Sequence, residues 1–404
     1  SMWTIDAHEH LPPEQSPISE QKDFYSLFEH YCQGDLVAAG ASGEDLAVFA
    51  DRERPLSERW ERFSPFLSTI RGGGYARAAL LVVRDILGYA DLNDDTFEAV
   101  SDALQQLNRP GLYEYILKER CRIAACIECW CLDKGPYPDY FYHIAPGTDV
   151  LDLGKRDAVQ DLARKCDRDV TVLDDVLECM DALVEDWNFK PHVVGIKIPH
   201  AYSRSLDFQQ TDPGQARRLF ERVMRDDDLE ASDFRPLQDF LMFALVERAA
   251  SVDLPVVIHT GLQAGNFHRI ADGNPLHLQS LLETFPRARF DLLHGGMPWV
   301  RETAALAKQF PGVYLSMAWM HIISPFQSRS ALSEWLDMLP NNKIFGFGGD
   351  YRIVEKVYGH LVLARQNIAA VLAGKIRHDA MSHSDALVVA RRLFHDNPRD
   401  FYGL

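Results

Sequence analysis

Trp3-Thr4-Ile5-Asp6-Ala7-His8-Glu9-His10 is a short strand-like run that ends on two histidines two residues apart. Side chains two apart in a strand share a face, so His8 and His10 can close on one cation while Glu9 points away. Three later stretches follow the same plan, each an apolar run that stops on a side chain able to bind metal. They are Leu254-Pro-Val-Val-Ile-His259, Arg289-Phe-Asp-Leu-Leu-His294 and Lys343-Ile-Phe-Gly-Phe-Gly-Gly-Asp350. Donors at the C-terminal ends of successive strands are where a (β/α)8 barrel carries its active site, so a metal centre on such a barrel is the first expectation.

From Arg122 onward, short apolar runs alternate with helical patterns, the signature of βαβ units and a parallel sheet. Strands are expected at 123–129, 192–198, 255–259, 289–294, 313–317 and 344–348, in addition to the N-terminal one. The third strand falls either at Tyr140-Phe-Tyr-His143 or at Asp169-Val-Thr-Val172, and the pattern does not choose between them. Helices are expected at 173–186, 213–224, 236–251, 276–285, 300–310, 330–339 and 353–372. No linker interrupts the alternation, so residues 1–404 are expected to form a single domain.

Residues 11–120 carry helical periodicity without a convincing strand and read as an insertion after the first strand. Its pieces include helices at 22–32, 78–90 and 96–107, the last followed by the breaker pair Pro110-Gly111. Such a segment is expected to serve as a lid over the barrel mouth or as a homo-oligomer interface. The fold class expected from these patterns is a distorted (β/α)8 barrel with a helical insertion.

Composition narrows the function classes. The chain has 404 residues and a formal net charge of −17, which argues against a sequence-independent hold on nucleic acid. No run approaches the length of a membrane span. The N-terminus lacks the apolar core of an export signal, and a cytoplasmic location is the expectation. Ser1 before Met2 reads as an expression scar.

Seven cysteines are an odd count spread over a long chain, which favours reduced thiols over a disulfide framework. Cys126-Ile-Glu-Cys129, with Cys121 and Cys131 nearby, has zinc-like spacing, but its apolar context favours buried strand thiols and no structural zinc is expected. The acidic run Asp226-Asp-Asp-Leu-Glu230 reads as a solvated loop.

Lys197 is the informative extra residue, a cation inside the apolar strand Val193-Val-Gly-Ile-Lys-Ile. A buried ammonium is costly unless it is paired or chemically changed. An ion pair, a substrate carboxylate or modification would each answer that cost.

Taken together these stretches resemble the amidohydrolase superfamily, in particular its amidohydrolase-2 (amidohydrolase-related) group. The resemblance rests on Asp6-Ala-His-Glu-His10, Gly195-Ile-Lys197, Pro255-Val-Val-Ile-His-Thr-Gly261, Leu292-Leu-His-Gly-Gly296, Gly348-Gly-Asp350 and the ending Asp396-Asn-Pro-Arg-Asp-Phe-Tyr-Gly-Leu404. It implies His8, His10 and Asp350 on one ion and His259 with His294 on a second, bridged by a carbamylated Lys197. Zinc is the first choice of ion, with Mn, Fe, Co or Ni also compatible with imidazole and carboxylate donors.

The activity implied is metal-dependent hydrolysis of a C–N or C–O bond beside a carbonyl, in an amide, lactone or ester, with Asp350 moving the proton. If one ion binds, His294 acts on the water instead. The alternatives are a uronate-isomerase-like isomerase or single-metal decarboxylase of the same superfamily, and a non-catalytic barrel scaffold. Substrate contacts are expected from the loops after the strands, at Tyr202, Arg204, Gln263, Trp319, His321 and Arg352. Arg204 and Arg352 suit a small-molecule substrate that carries a carboxylate.

Overall fold

The computed structural model describes residues 2–129, 135–225 and 230–404. Cys131 and residues 226–229 of the acidic run lie outside the described residues. Eight strands form one sheet in chain order: β1 (Thr4–Glu9), β2 (Ile123–Cys129), β3 (Phe141–Pro146), β4 (Val193–Ile198), β5 (Val256–His259), β6 (Phe290–Leu293), β7 (Val313–Ser316) and β8 (Ile344–Phe345). The paired strands β1–β2, β3–β4, β4–β5, β5–β6 and β6–β7 are parallel. The chain returns to its start after β8, where Ala7 N donates to Phe347 O at 3.2 Å and Asp350 N donates to His8 O at 2.8 Å. This is the strand order and closure of a distorted (β/α)8 barrel.

By contact density the chain divides into two compact units. The first comprises Ser1–Phe141, Gln263–His268 and Ser316–Asp400, and holds β1, β2 and β8. Its segment between β1 and β2 is helical and builds an aromatic core of its own. There Phe24, Tyr25, Phe28, Phe49, Trp60 and Phe63 are buried together with Val82, Val83 and Leu104. Trp60 stacks on Phe97 with ring centroids 5.1 Å apart. The second unit comprises Tyr142–Leu262, Arg269–Leu315 and Phe401–Leu404, and holds β4 to β6 with their helices.

The undecided third strand is β3, which starts inside the Tyr140-Phe-Tyr-His143 run, at Phe141, and continues to Pro146. The competing run ends at Val172, the N-cap of the helix Leu173–Phe189, and Asp175 takes the Thr171 and Val172 amides as acceptor. The helix expected at 22–32 is a correction. A 3-10 turn, Phe24–Leu27, is followed by a separate helix, Tyr31–Ala38, because His30 between them adopts a positive φ of 66°. The helix expected at 330–339 starts earlier, at Pro325, where Ser324 caps it by accepting from Gln327 N. That is the usual place for a proline at a helix start.

Candidate metal centre

In the first unit, β1 carries a bulge. Asp6 pairs with Cys126 and Glu9 with Glu128, so three steps on β1 answer two on β2. Bulges re-aim side chains next to functional sites. His8 and His10 still converge, their rings 4.9 Å apart, and Asp350 Oδ1 lies 3.1 Å from His10 Nε2 and 3.6 Å from His8 Nε2. The donor atoms of all three fall within 4.8 Å of one another. Two imidazoles and a carboxylate, mostly buried, make a donor set that fits a divalent transition ion.

Asp350 sits in the left-handed region with φ 60°. For a side chain other than glycine that costs roughly 1–3 kcal/mol and persists only where the surroundings impose it. Here they do: consecutive amides of the loop after β8 all donate to β1. Gly349 N reaches Asp6 Oδ1 at 2.9 Å, Asp350 N reaches His8 O, and Tyr351 N reaches Glu9 Oε2 at 2.6 Å. A Cβ at Gly349 would overlap Glu9 Oε1, so a larger residue there has to displace the Glu9 carboxyl. Asp6 and Glu9 are fully buried. Burial pushes the Asp6 carboxyl up to about 7 and holds Glu9 well above the usual carboxylate range, with the neighbouring Asp6 adding to it.

His30, from the insertion, belongs to the same unit and was not singled out by the sequence. Its Nδ1 is buried without a hydrogen-bond partner, its ring lies 3.9 Å from that of Tyr31, and its surroundings include Lys356, Asp350, His10 and Arg352. Burial first, then the Lys356 charge, lowers its pKa to about 3, so the ring is neutral. No motif announces it. Its local sign is the break between two helical pieces that its backbone enforces.

The substrate-facing candidates of this unit divide. Trp319 is buried and stacks on Tyr31 at 4.5 Å, and Tyr31 stacks in turn on Tyr75. Gln263 is buried as well, whereas Arg352 is exposed on the loop after β8. His321 is committed elsewhere: Nε2 meets Gly346 O at 3.0 Å and Nδ1 meets Asn367 at 3.3 Å, in full burial that lowers its pKa to about 4.

In the second unit, His259 ends β5 and His294 follows β6, and both are buried. They meet each other, His294 Nε2 to His259 Nδ1 at 3.0 Å, while His259 Nε2 meets Leu262 O at 2.9 Å. A carbonyl can only accept, so Nε2 of His259 carries the proton and Nδ1 accepts from His294. Both nitrogens of His259 are thereby engaged, a geometry for passing a proton. Tyr202 lies against His259, ring centroids 4.5 Å apart.

Lys197 is buried on β4 in register with Val257, which in turn pairs with Asp291 on β6. Burial raises the Asp291 carboxyl to about 7, while the hydrogen bond from Tyr402 Oη at 2.6 Å and the Lys197 charge pull it back. Arg204 is held by Asp239 at 2.6 Å, Gln238 at 3.2 Å and the face of Phe208. Cys121, Cys126 and Cys129 are buried. Among the described residues no helix is long and apolar enough to cross a membrane.

Comparison with known proteins bears on the family and the fold. The family described as amidohydrolase matches residues 193–404. The protein fluG of Emericella nidulans is 34% identical over 174 residues, which is 40% of this chain and 20% of fluG, so the chain corresponds to one part of that longer protein. Among solved structures, glucuronate isomerase from Caulobacter crescentus superimposes with a TM-score of 0.81 at 17% identity, covering 100% of this chain and 91% of that one. Uronate isomerase from Thermotoga maritima gives 0.78 at 16% identity, covering 99% and 94%. At such identities the likeness speaks to the fold.

Proposed function

Because this chain belongs to the amidohydrolase-2 family of metal-dependent enzymes, we propose that it is a hydrolase working with one divalent cation, zinc by first choice, held by His8, His10 and Asp350. Its substrate is a small molecule cleaved at a C–N or C–O bond beside a carbonyl. The observation that carries this reading is the convergence of three donors within 4.8 Å. A cation bound there supplies Lewis acidity and a water acidic enough to be deprotonated near neutral pH.

The protein's own groups then handle the proton. Asp350 faces both imidazoles with Oδ1, so we assign the proton to Oδ2, which takes it from the attacking water and returns it to the leaving nitrogen or oxygen. His259 and His294 are assigned proton transfer rather than a second ion, since both nitrogens of His259 are already bonded. Lys197 then serves as a charge beside Asp291, with no need of carbamylation. Arg352 is the exposed cation left to meet a substrate carboxylate, Arg204 being taken up by Asp239.

A second reading, a single-metal isomerase or decarboxylase, is favoured by the same hydrogen-bonded histidine pair, because proton transfer without water addition needs one cation and a relay. Turnover of a panel of amides, lactones, esters and uronic acids in H2 18-O separates the two. Label in a cleaved product supports hydrolysis. An unlabelled isomer or released CO2 overturns it in favour of the second reading.

A further inference from the structure

We propose that Asp6 and Glu9 act together as a clamp on the loop after β8, fixing the backbone on both sides of Asp350 and so positioning its carboxylate for the cation. The inference rests on the reading of His8, His10 and Asp350 as a cation site. Burying two carboxyl groups completely is costly, and the interior of a strand pair could be filled with apolar side chains at no such cost. What these two do with their oxygens is specific. Asp6 Oδ1 accepts from Gly349 N at 2.9 Å and Glu9 Oε2 from Tyr351 N at 2.6 Å, the two amides that flank Asp350.

Between them Asp350 is held at φ 60°, a conformation its own side chain disfavours. The bulge in β1 between Asp6 and Glu9 lets one short strand present both carboxyls to the loop while it presents His8 and His10 to the ion. Asp6 and Glu9 lie outside the donor group of His8, His10 and Asp350. They are positioning residues that act through Asp350, and groups behind metal ligands typically change metal affinity by about 10–100-fold when removed.

The test uses the full chain stripped of metal and reloaded with Co(II), following affinity by chelator competition, the visible ligand-field spectrum, and thermal unfolding of the metal-free form. Glu9→Gln keeps an oxygen to accept from Tyr351 N and is expected to bind Co(II) within about threefold of wild type with an unchanged spectrum. Glu9→Met is expected to weaken binding by about 10–100-fold and alter the spectrum while the metal-free form still unfolds cooperatively. Gly349→Ala displaces Glu9 without removing it, and is expected to match Glu9→Met should that variant fold poorly. Wild-type affinity and spectrum in Glu9→Met or Gly349→Ala, or an equal loss in Glu9→Gln, overturns the clamp. Asp350→Asn reports on the site itself: if it binds as wild type does, the cation reading fails, whereas loss there with none in Glu9→Met sinks the clamp alone.

Discussion

His8 and His10 meet a carboxylate, whereas His259 and His294 meet each other. Both groups sit at the C-terminal ends of barrel strands, and both look alike as sequence, an imidazole after an apolar run. The difference lies in what the neighbouring backbone offers. The loop after β8 turns Asp350 onto the first pair, while Leu262 O takes one nitrogen of His259 and leaves the other to His294. One arrangement is suited to a cation and the other to a proton.

The strongest way to break that contrast is Asp350→Ala. Losing a ligand and the proton acceptor together is expected to cost several kcal/mol of transition-state stabilisation, about 10³-fold or more in kcat/KM, with metal content falling from about one ion per chain toward zero. Metal analysis beside steady-state kinetics checks it. Activity and metal content both near wild type would erase the distinction.

His294→Ala sharpens the other side. As a proton-transfer group it is expected to cost about 10²–10⁴-fold in kcat with metal content unchanged. A wild-type enzyme that holds two ions, one of which disappears in His294→Ala, would return His259 and His294 to the ligand role that the sequence resemblance implied.

His30→Asn is expected to lower kcat/KM by about tenfold or more, again with metal retained, because its neutral ring lies beside Asp350 and His10. Unchanged kinetics would make it a packing residue of the Tyr31 stack.

The smallest effect on activity is expected from His321, whose role is in folding. Its folded pKa is lowered to about 4 by burial, below the ordinary 6.5, so the unfolded chain binds the proton first as pH falls. Its contribution is therefore complete above about pH 6.5 and is lost between there and about pH 4, at most about 1.4 kcal/mol per pH unit. Urea unfolding between pH 4 and 7 should show a steeper loss for wild type than for His321→Gln. Parallel curves would sink the assignment.

How much of this was legible differs residue by residue. The His-x-His placement of His8 and His10 needs only local geometry, and so do β2 and the helix Pro213–Met224, whose boundaries the pattern gives directly. The ion pair that takes up Arg204 is not legible in the sequence, because Asp239 lies 35 residues further on and only packing brings the two together. His30 was invisible for the same reason, being set by an insertion with its own aromatic core.

What the sequence by itself determined is the alternation of strands and helices and the identity of the donors at the strand ends, since both follow from periodicity and side-chain chemistry along a few neighbouring residues. Only the tertiary structure brought Asp350 onto His8 and His10 and set His259 against His294. That depends on three amides after β8 being pulled onto β1 and on a carbonyl occupying one face of His259, contacts between residues more than 340 apart in the first case and held by a turn in the second.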